Sequence, residues 1–362
     1  MLFLSITNNL FSQSNDILSD VFVEANYSKG TILHHRSTIA YIVEGYPRSF
    51  EINIGKKTDN SKFWHHLYKQ PEYGFGYKYC DFKNPNILGN AHSIISFIKI
   101  PMVRGKNIRL NYGAAAGFSW LNKSFDPDEN YYHLAIGSHS NIILNLNMEI
   151  KIKLLKKLDL IQKLGVVHYS NGAVTKPNLG INIFSWHTGF SYNFDKPESK
   201  NFKIPQPDII NRNKFELVYS AGLKDISPQV KNRYITMSFC ADYFRRPGYK
   251  YKFGIGADLF YNRALHKEAE INAIFNEYQV PEYSEFEILQ PGLHISYARI
   301  FHNTTFLIQL GYYLHTVWKK DGNIYSRFGL RYKFSDRFVA NLTLKTHFAK
   351  ADYPEFGIGY CF

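Results

Sequence analysis

The sequence predicts an all-β chain, an antiparallel β-barrel of the outer-membrane type with about eight strands in each half. Three observations carry that prediction. Aromatic residues make up 17% of the 362 residues, with 27 Tyr and 29 Phe. The mean hydropathy is nevertheless −0.30, and no stretch approaches the ~18 uninterrupted apolar residues of a transmembrane helix. Apolar and polar residues alternate in short runs, bounded by turn residues, from about Asp20 to the last residue. Strands with one face in lipid and the other in water require that combination. A soluble β-sandwich is the alternative for the same strand spacing.

Taken in order, the alternation predicts first-half strands near 20–30, 47–57, 72–82, 91–102, 107–119, 136–152, 156–171 and 180–195. Second-half strands follow near 212–224, 231–244, 248–262, 285–300, 303–316, 323–334, 337–349 and 354–362. If the first strand runs outward, the inner turns are short, among them Arg104-Gly105-Lys106-Asn107, Leu155-Lys156-Lys157, Arg246-Pro247-Gly248 and His302-Asn303. The longer connections 31–46, 83–90, 120–135 and 263–284 then fall outside, as outer-membrane barrels require. The connection 58–71, with Trp64-His65-His66, is the exception, being long yet on the inner side. Both halves end on aromatic strands, at Phe190-Ser191-Tyr192-Asn193-Phe194 and at Tyr360-Cys361-Phe362. The predicted organisation is a signal-peptide remnant over 1–19, a barrel over 20–195, a polar linker over 196–211 and a second barrel half over 212–362. Eight strands suffice to close a barrel around a filled interior, so tandem barrels are favoured slightly over one barrel of about sixteen strands.

The formal charge is +13, which points to an anionic partner such as an acidic membrane or a phosphorylated glycolipid. The basic residues are dispersed, which argues against nucleic acid. The short cluster Lys151 to Lys157 reads as a charged hairpin turn. Cys80, Cys240 and Cys361 are an odd number without CxxC spacing and suggest neither a disulfide framework nor a metal site.

The segment with chemistry in it is Val167-His168-Tyr169-Ser170-Asn171-Gly172-Ala173-Val174-Thr175-Lys176-Pro177-Asn178-Leu179-Gly180-Ile181-Asn182. His168 and Ser170 lie two apart near a strand end, so both side chains share one face. An imidazole beside a hydroxyl can take its proton and activate it as a nucleophile. Leu158, Leu160, Leu164 and Val166 share that face, and on the next strand Asn182 shares its side with Phe184, Trp186, Phe190 and Tyr192. These apolar rows are predicted to face lipid, which places His168, Ser170 and Asn182 on the outer wall near the extracellular rim, with Asn182 across from His168. A lone His-x-Ser is ordinarily structural, so the whole run matters more than the pair.

That run resembles the outer-membrane lipid A 3-O-deacylases (PagL-type acyl hydrolases), eight-stranded barrels whose signature is His-x-Ser-Asn, a glycine-containing loop, Pro-Asn-x-Gly and a strand with an acidic triad member. The resemblance is strongest over 156–195 and extends in pattern over 20–195. It implies Ser170 as nucleophile, His168 as general base, Asn171 and Asn178 at the oxyanion or substrate site, and Ala173 at a loop position whose backbone N–H serves the oxyanion. Where the family has an acidic residue, this chain has Asn182. An amide can orient the imidazole but cannot stabilise its charged form.

The resemblance implies an outer-membrane serine esterase, in a Gram-negative bacterium, that removes an ester-linked acyl chain from lipid A of lipopolysaccharide. Its partners would be lipopolysaccharide and outer-membrane lipids, with no cofactor and no nucleic acid, and homodimer formation is left open. The alternatives are a non-catalytic barrel (porin, adhesin or scaffold) and an outer-membrane phospholipase. In the second half, Thr346-His347-Phe348-Ala349-Lys350 echoes the catalytic run, but it lacks the serine and places His347 on the lumen side. Trp64-His65-His66 and His34-His35 are read as pairs alternating across strands, unsuited to one metal. Asp126-Pro127-Asp128-Glu129 is read as a solvated outer loop.

Overall fold

The computed structural model describes residues 20–34, 36–59, 61–194, 206–209, 212–228, 230–277, 279–348 and 350–362. The expected signal-peptide remnant at 1–19 and most of the expected linker at 196–211 lie outside them. The first barrel comprises β1 (Val21–Ile32), β2 (Arg48–Lys57), β3 (Glu72–Asp81), β4 (Asn90–Arg104), β5 (Ile108–Leu121), β6 (Ser140–Lys153), β7 (Leu158–Ser170) and β8 (Ile181–Asn193). The second comprises β9 (Asn213–Ser227), β10 (Val230–Arg245), β11 (Tyr251–Asn262), β12 (Leu289–Phe301), β13 (Thr304–Tyr313), β14 (Ile324–Lys333), β15 (Phe338–His347) and β16 (Lys350–Cys361). Each strand pairs antiparallel with the next. β1 closes on β8 and β9 on β16, so the alternatives resolve to two closed eight-stranded barrels.

The strands form because their sequences alternate, and the alternation sorts residues inside out relative to a water-soluble core. Along β6, Ile142, Leu144, Leu146, Met148 and Ile150 are exposed while Asn141, Asn145, Glu149 and Lys151 are buried. Phe75 is 70% exposed and Glu149 0%. Water would penalise so much exposed apolar surface; a bilayer supplies the matching solvent, and its lipid-facing band needs no polar groups. The polar lumen of the first barrel is neutralised internally. Lys99 lies 2.6 Å from Glu24 and 2.7 Å from Glu149, and Lys151 lies 2.6 Å from Glu72. Lys151 therefore points into the lumen instead of joining a charged turn, because it occupies an inward position of β6.

The outer end of the first lumen departs from the polar-inside rule. Ile39, Ile42, Phe82, Leu88, Ile136, Ile143, Val167 and Ile183 pack there as an apolar plug. α1 (Ser37–Ala40), in the β1–β2 connection, contributes Ile39. The plug explains why β6 starts at Ser140 and not near 136: Ala135 and Ile136 are drawn into it. The long inner-side connection 58–71 carries α2 (Phe63–Leu67), so Trp64, His65 and His66 are helical and do not alternate on a strand. His65 Nδ1 lies 3.3 Å from Asp59, while His35 lies outside the described residues. The outer connection predicted as loop 263–284 contains α3 (Ala264–Phe275). Asp126 uses its carboxylate on its own loop, accepting the N–H groups of Asp128 and Glu129 at 2.9 and 3.0 Å. The three cysteines are buried free thiols.

Candidate active site

The described residues fall into two compact units. The first runs to Ser170 and resumes at Leu179; the second starts at Pro207 and also takes in Asn171–Asn178. His168, Ser170 and Asn182 belong to the first unit, and Asn171, Ala173 and Asn178 to the second.

In the first unit, β7 alternates buried Val167 and Tyr169 with partly exposed His168 and Ser170. The two candidate side chains thus continue the lipid-facing row of Leu164 and Val166, both exposed. Antiparallel register sets His168 directly across from Asn182 on β8. Their side chains meet, with His168 Nδ1 2.7 Å from Asn182 Oδ1. An amide oxygen only accepts, so Nδ1 carries the proton and Nε2 keeps its lone pair. A base whose second ring nitrogen is set as an acceptor is what proton abstraction from a hydroxyl needs. Asn182 therefore supplies orientation and tautomer, without a negative charge.

Gly180 is a feature of the site that sequence reasoning missed. Its φ is +79°, and an added Cβ would lie 2.7 Å from His168 Cε1. Only glycine adopts this conformation freely and leaves the ring its place. Gly180→Ala is expected to cut turnover about 10- to 100-fold by displacing the imidazole, with the barrel still folded. Progress curves of fatty-acid release from the purified variant check this.

In the second unit, the segment Asn171–Asn178 is held by its own polar groups. Asn178 Oδ1 accepts the Asn171 N–H at 3.1 Å, and Asn171 Nδ2 donates to the Thr175 carbonyl at 2.9 Å. Gly172 and Ala173 both have positive φ, +67° and +69°, which is costly for alanine by roughly 1–2 kcal/mol. The segment is anchored to β9: the Lys176 N–H donates to Asp225 at 2.9 Å, and the Asp225 N–H donates to the Ala173 carbonyl at 3.1 Å. Ala173 is fully buried. Nothing in the sequence around Leu223-Lys224-Asp225 signals this anchoring role.

Among the described residues, two buried clusters have the donor types of metal sites, Glu24/Glu72/Glu149 and Cys240/Asp242/His294. Lysines already neutralise the first. In the second, His294 is held between Asp258 (2.6 Å) and Asp242 (2.8 Å), and Arg331 lies 2.7 Å from Asp242. Both are lumen charge networks whose carboxylates serve as counter-ions. His347, the echo of His168, faces the second lumen, where its Nε2 meets Tyr313 Oη at 3.0 Å. Ala349 lies outside the described residues.

Comparison with known proteins places these features in context. Residues 48–191 match the family model described as lipid A 3-O-deacylase (PagL). Residues 213–362 match the model described as acyloxyacyl hydrolase, C-terminal domain. The two ranges run from β2 into β8 and from β9 through β16. No curated protein matches the chain. Among solved structures, the outer-membrane enzyme PagL aligns at 16% identity and a TM-score of 0.33, covering 46% of this chain and 97% of its own. Neisserial surface protein A aligns at 15% identity and 0.31, covering 49% and 98%. The N-terminal β-barrel domain of Pseudomonas aeruginosa OprF aligns at 12% identity and 0.28, covering 48% and 98%.

Proposed function

We propose that this chain, whose residues 48–191 match the lipid A 3-O-deacylase (PagL) model and 213–362 the acyloxyacyl hydrolase C-terminal model, deacylates lipid A through Ser170, His168 and Asn182. The observation that carries the assignment is the 2.7 Å contact of His168 Nδ1 with Asn182 Oδ1 on the lipid-facing row that also bears Ser170. A lipid A acyl chain lies along the exposed apolar wall of Leu164, Val166, Phe184 and Trp186, bringing its ester carbonyl to the rim. His168 Nε2 takes the Ser170 proton as Oγ attacks the carbonyl carbon. The tetrahedral oxyanion is held by Asn171 and by N–H groups of the following loop, Ala173's among them, with Asn178 fixing the loop's shape. Collapse breaks the bond to the sugar oxygen, which takes the proton from His168 and departs as a hydroxyl, and water then frees the fatty acid by the same route. This chemistry runs on the chain's own side chains.

Asn182 favours a second reading, a barrel that has lost its activity and serves as a scaffold. Mass spectrometry of lipid A from cells making the wild type or Asn182→Glu separates the two. The wild type is expected to remove one acyl chain. The variant, supplying the charge that the amide lacks, is expected to do so about tenfold faster, the worth of roughly 1.4 kcal/mol in the transition state. Unchanged lipid A in both, with folded protein in the membrane, would leave the scaffold. Fatty acid lost from phospholipids alone would mark a phospholipase.

A further inference from the structure

The outer connection between β5 and β6, residues 122–139, displays two neighbouring tyrosines, Tyr131 and Tyr132. Each is more than half exposed, and their ring centres lie 4.2 Å apart with the planes inclined by 38°. Together they form one aromatic surface. Barrels carry aromatic girdles on their strands, at the edges of the lipid band. This pair stands instead among the outer loops, because its connection is tied to two others. The Asn130 side-chain amide donates to the Ile87 carbonyl, in the β3–β4 connection, at 3.1 Å. The Leu134 carbonyl accepts the Leu179 N–H, just before β8, at 3.5 Å.

The backbone under the pair is fixed. The Asn130 side chain also donates to the Ser124 carbonyl at 2.9 Å, and the Asn130 N–H donates to the Asp126 carbonyl at 3.1 Å. The Leu134 N–H donates to the Tyr132 carbonyl at 2.8 Å. His133, Ala135 and Ile136, which follow the pair, are fully buried. Loops are ordinarily built from small and polar residues, and large rings held out on an anchored backbone mark a contact surface. Tyrosine suits that use, since its ring is rigid and costs little entropy to immobilise.

The same segment reaches the candidate active site. Three residues beyond Tyr132, the Ala135 carbonyl accepts the Gly180 N–H at 2.9 Å. Gly180 is the residue whose missing Cβ leaves the His168 ring its place. Three residues span at most roughly 11 Å, which puts the pair within a lipid headgroup's length of that contact.

We infer that Tyr131 and Tyr132 bind the sugar headgroup of the lipid substrate and set its specificity, a reading that rests on Ser170 as the esterase nucleophile. With the acyl chain on the lipid-facing wall and the ester at the rim, the rest of the substrate lies among the outer loops. One face of a pyranose ring presents C–H groups, whose slight positive charge matches the negative face of an aromatic ring. The phenol hydroxyls exchange hydrogen bonds with those of the sugar. A glycerol backbone is open-chained and offers no such face, so the pair favours a glycolipid over a glycerophospholipid.

The test measures lipid A deacylation by the full chain in a polyoxyethylene detergent, which carries neither sugar nor choline. Tyr131→Ala with Tyr132→Ala is expected to raise KM about tenfold while kcat stays within about twofold, the effect of losing two aromatic contacts. Tyr131→Phe with Tyr132→Phe keeps the ring faces and should stay near the wild type. Both positions are exposed, so folding should survive; each single alanine variant serves if the double one folds poorly. Binding of fluorescently labelled lipid A is followed in parallel on chains that also carry Ser170→Ala, and should weaken to the same extent in the alanine variant. Unchanged KM and binding, with turnover intact, overturn the sugar platform and leave Ser170 in place. A fall in kcat alone also overturns it, since the loop would then act through Gly180. Absence of turnover in the wild type removes the esterase reading, and lipid A binding then decides the platform by itself. Binding of phosphatidylcholine that the alanine variant loses, with lipid A binding unchanged, would assign the pair to a choline cation and overturn the sugar.

Discussion

Ser170→Ala is expected to lower fatty-acid release from lipid A by about 10⁴-fold or more, as removal of the nucleophile does in serine hydrolases. The structure makes this a clean experiment. Ser170 sits at the last position of β7 with its side chain partly exposed on the outer wall, so the substitution opens no cavity in the barrel. Substitutions of that kind change stability by roughly 0.5 kcal/mol or less, and loss of activity would therefore be chemical. His168→Ala should fall nearly as far, because the hydroxyl is a weak nucleophile without its base. The double variant should be no worse than the worse single one, since groups acting as a unit are not additive. Lipid A mass spectra and resistance of the folded barrel to detergent unfolding, measured side by side, check the set. A Ser170→Ala protein that still removes the acyl chain would move the nucleophile elsewhere.

Much of this site was legible because a strand repeats every two residues and a short loop joins β7 to β8. Those facts alone put His168 and Ser170 on the row of Leu164 and Val166, and Asn182 across from His168. The inward rows were legible in the same way: Glu149 and Lys151 alternate with Met148 and Ile150. The outer end of the first lumen was not, because Ile143, Val167 and Ile183 point inward and are apolar, so alternation there loses its contrast. The helices were hidden for a different reason. In α3, Leu265, Ala269 and Ala273 recur every four residues and are buried, but two of the three are alanines, too small to make a readable stripe. Gly180 and Asp225 act through approach in space, on a ring and on a backbone, and no local pattern announces either.

Lys151→Met is expected to destabilise the first barrel by about 3–5 kcal/mol, the usual consequence of removing one partner from a buried ion network. Lys151 is 1% exposed. Its ammonium lies 2.6 Å from Glu72, 2.8 Å from Glu24 and 3.8 Å from Glu149. Methionine keeps most of the volume, and Phe22, whose ring centre is 4.7 Å from the ammonium, would still have an apolar neighbour. The loss is therefore electrostatic. Glu24 and Glu149 retain Lys99 at 2.6 and 2.7 Å, whereas the ion pair left to Glu72 among the described residues is Arg109, at 3.5 Å and partly exposed. Glu72 is then the carboxylate left most poorly matched, and Glu72→Gln added to Lys151→Met should recover most of the stability, because a neutral amide is far less costly to bury than an unpaired charge. Urea unfolding of the three proteins in the same lipid vesicles measures both effects. A loss below about 1 kcal/mol for Lys151→Met would mean that water reaches the lumen and screens it as it does a surface pair. The interior would then be a wet channel, and the barrel's rigidity would have to come from its hydrogen-bonded wall alone.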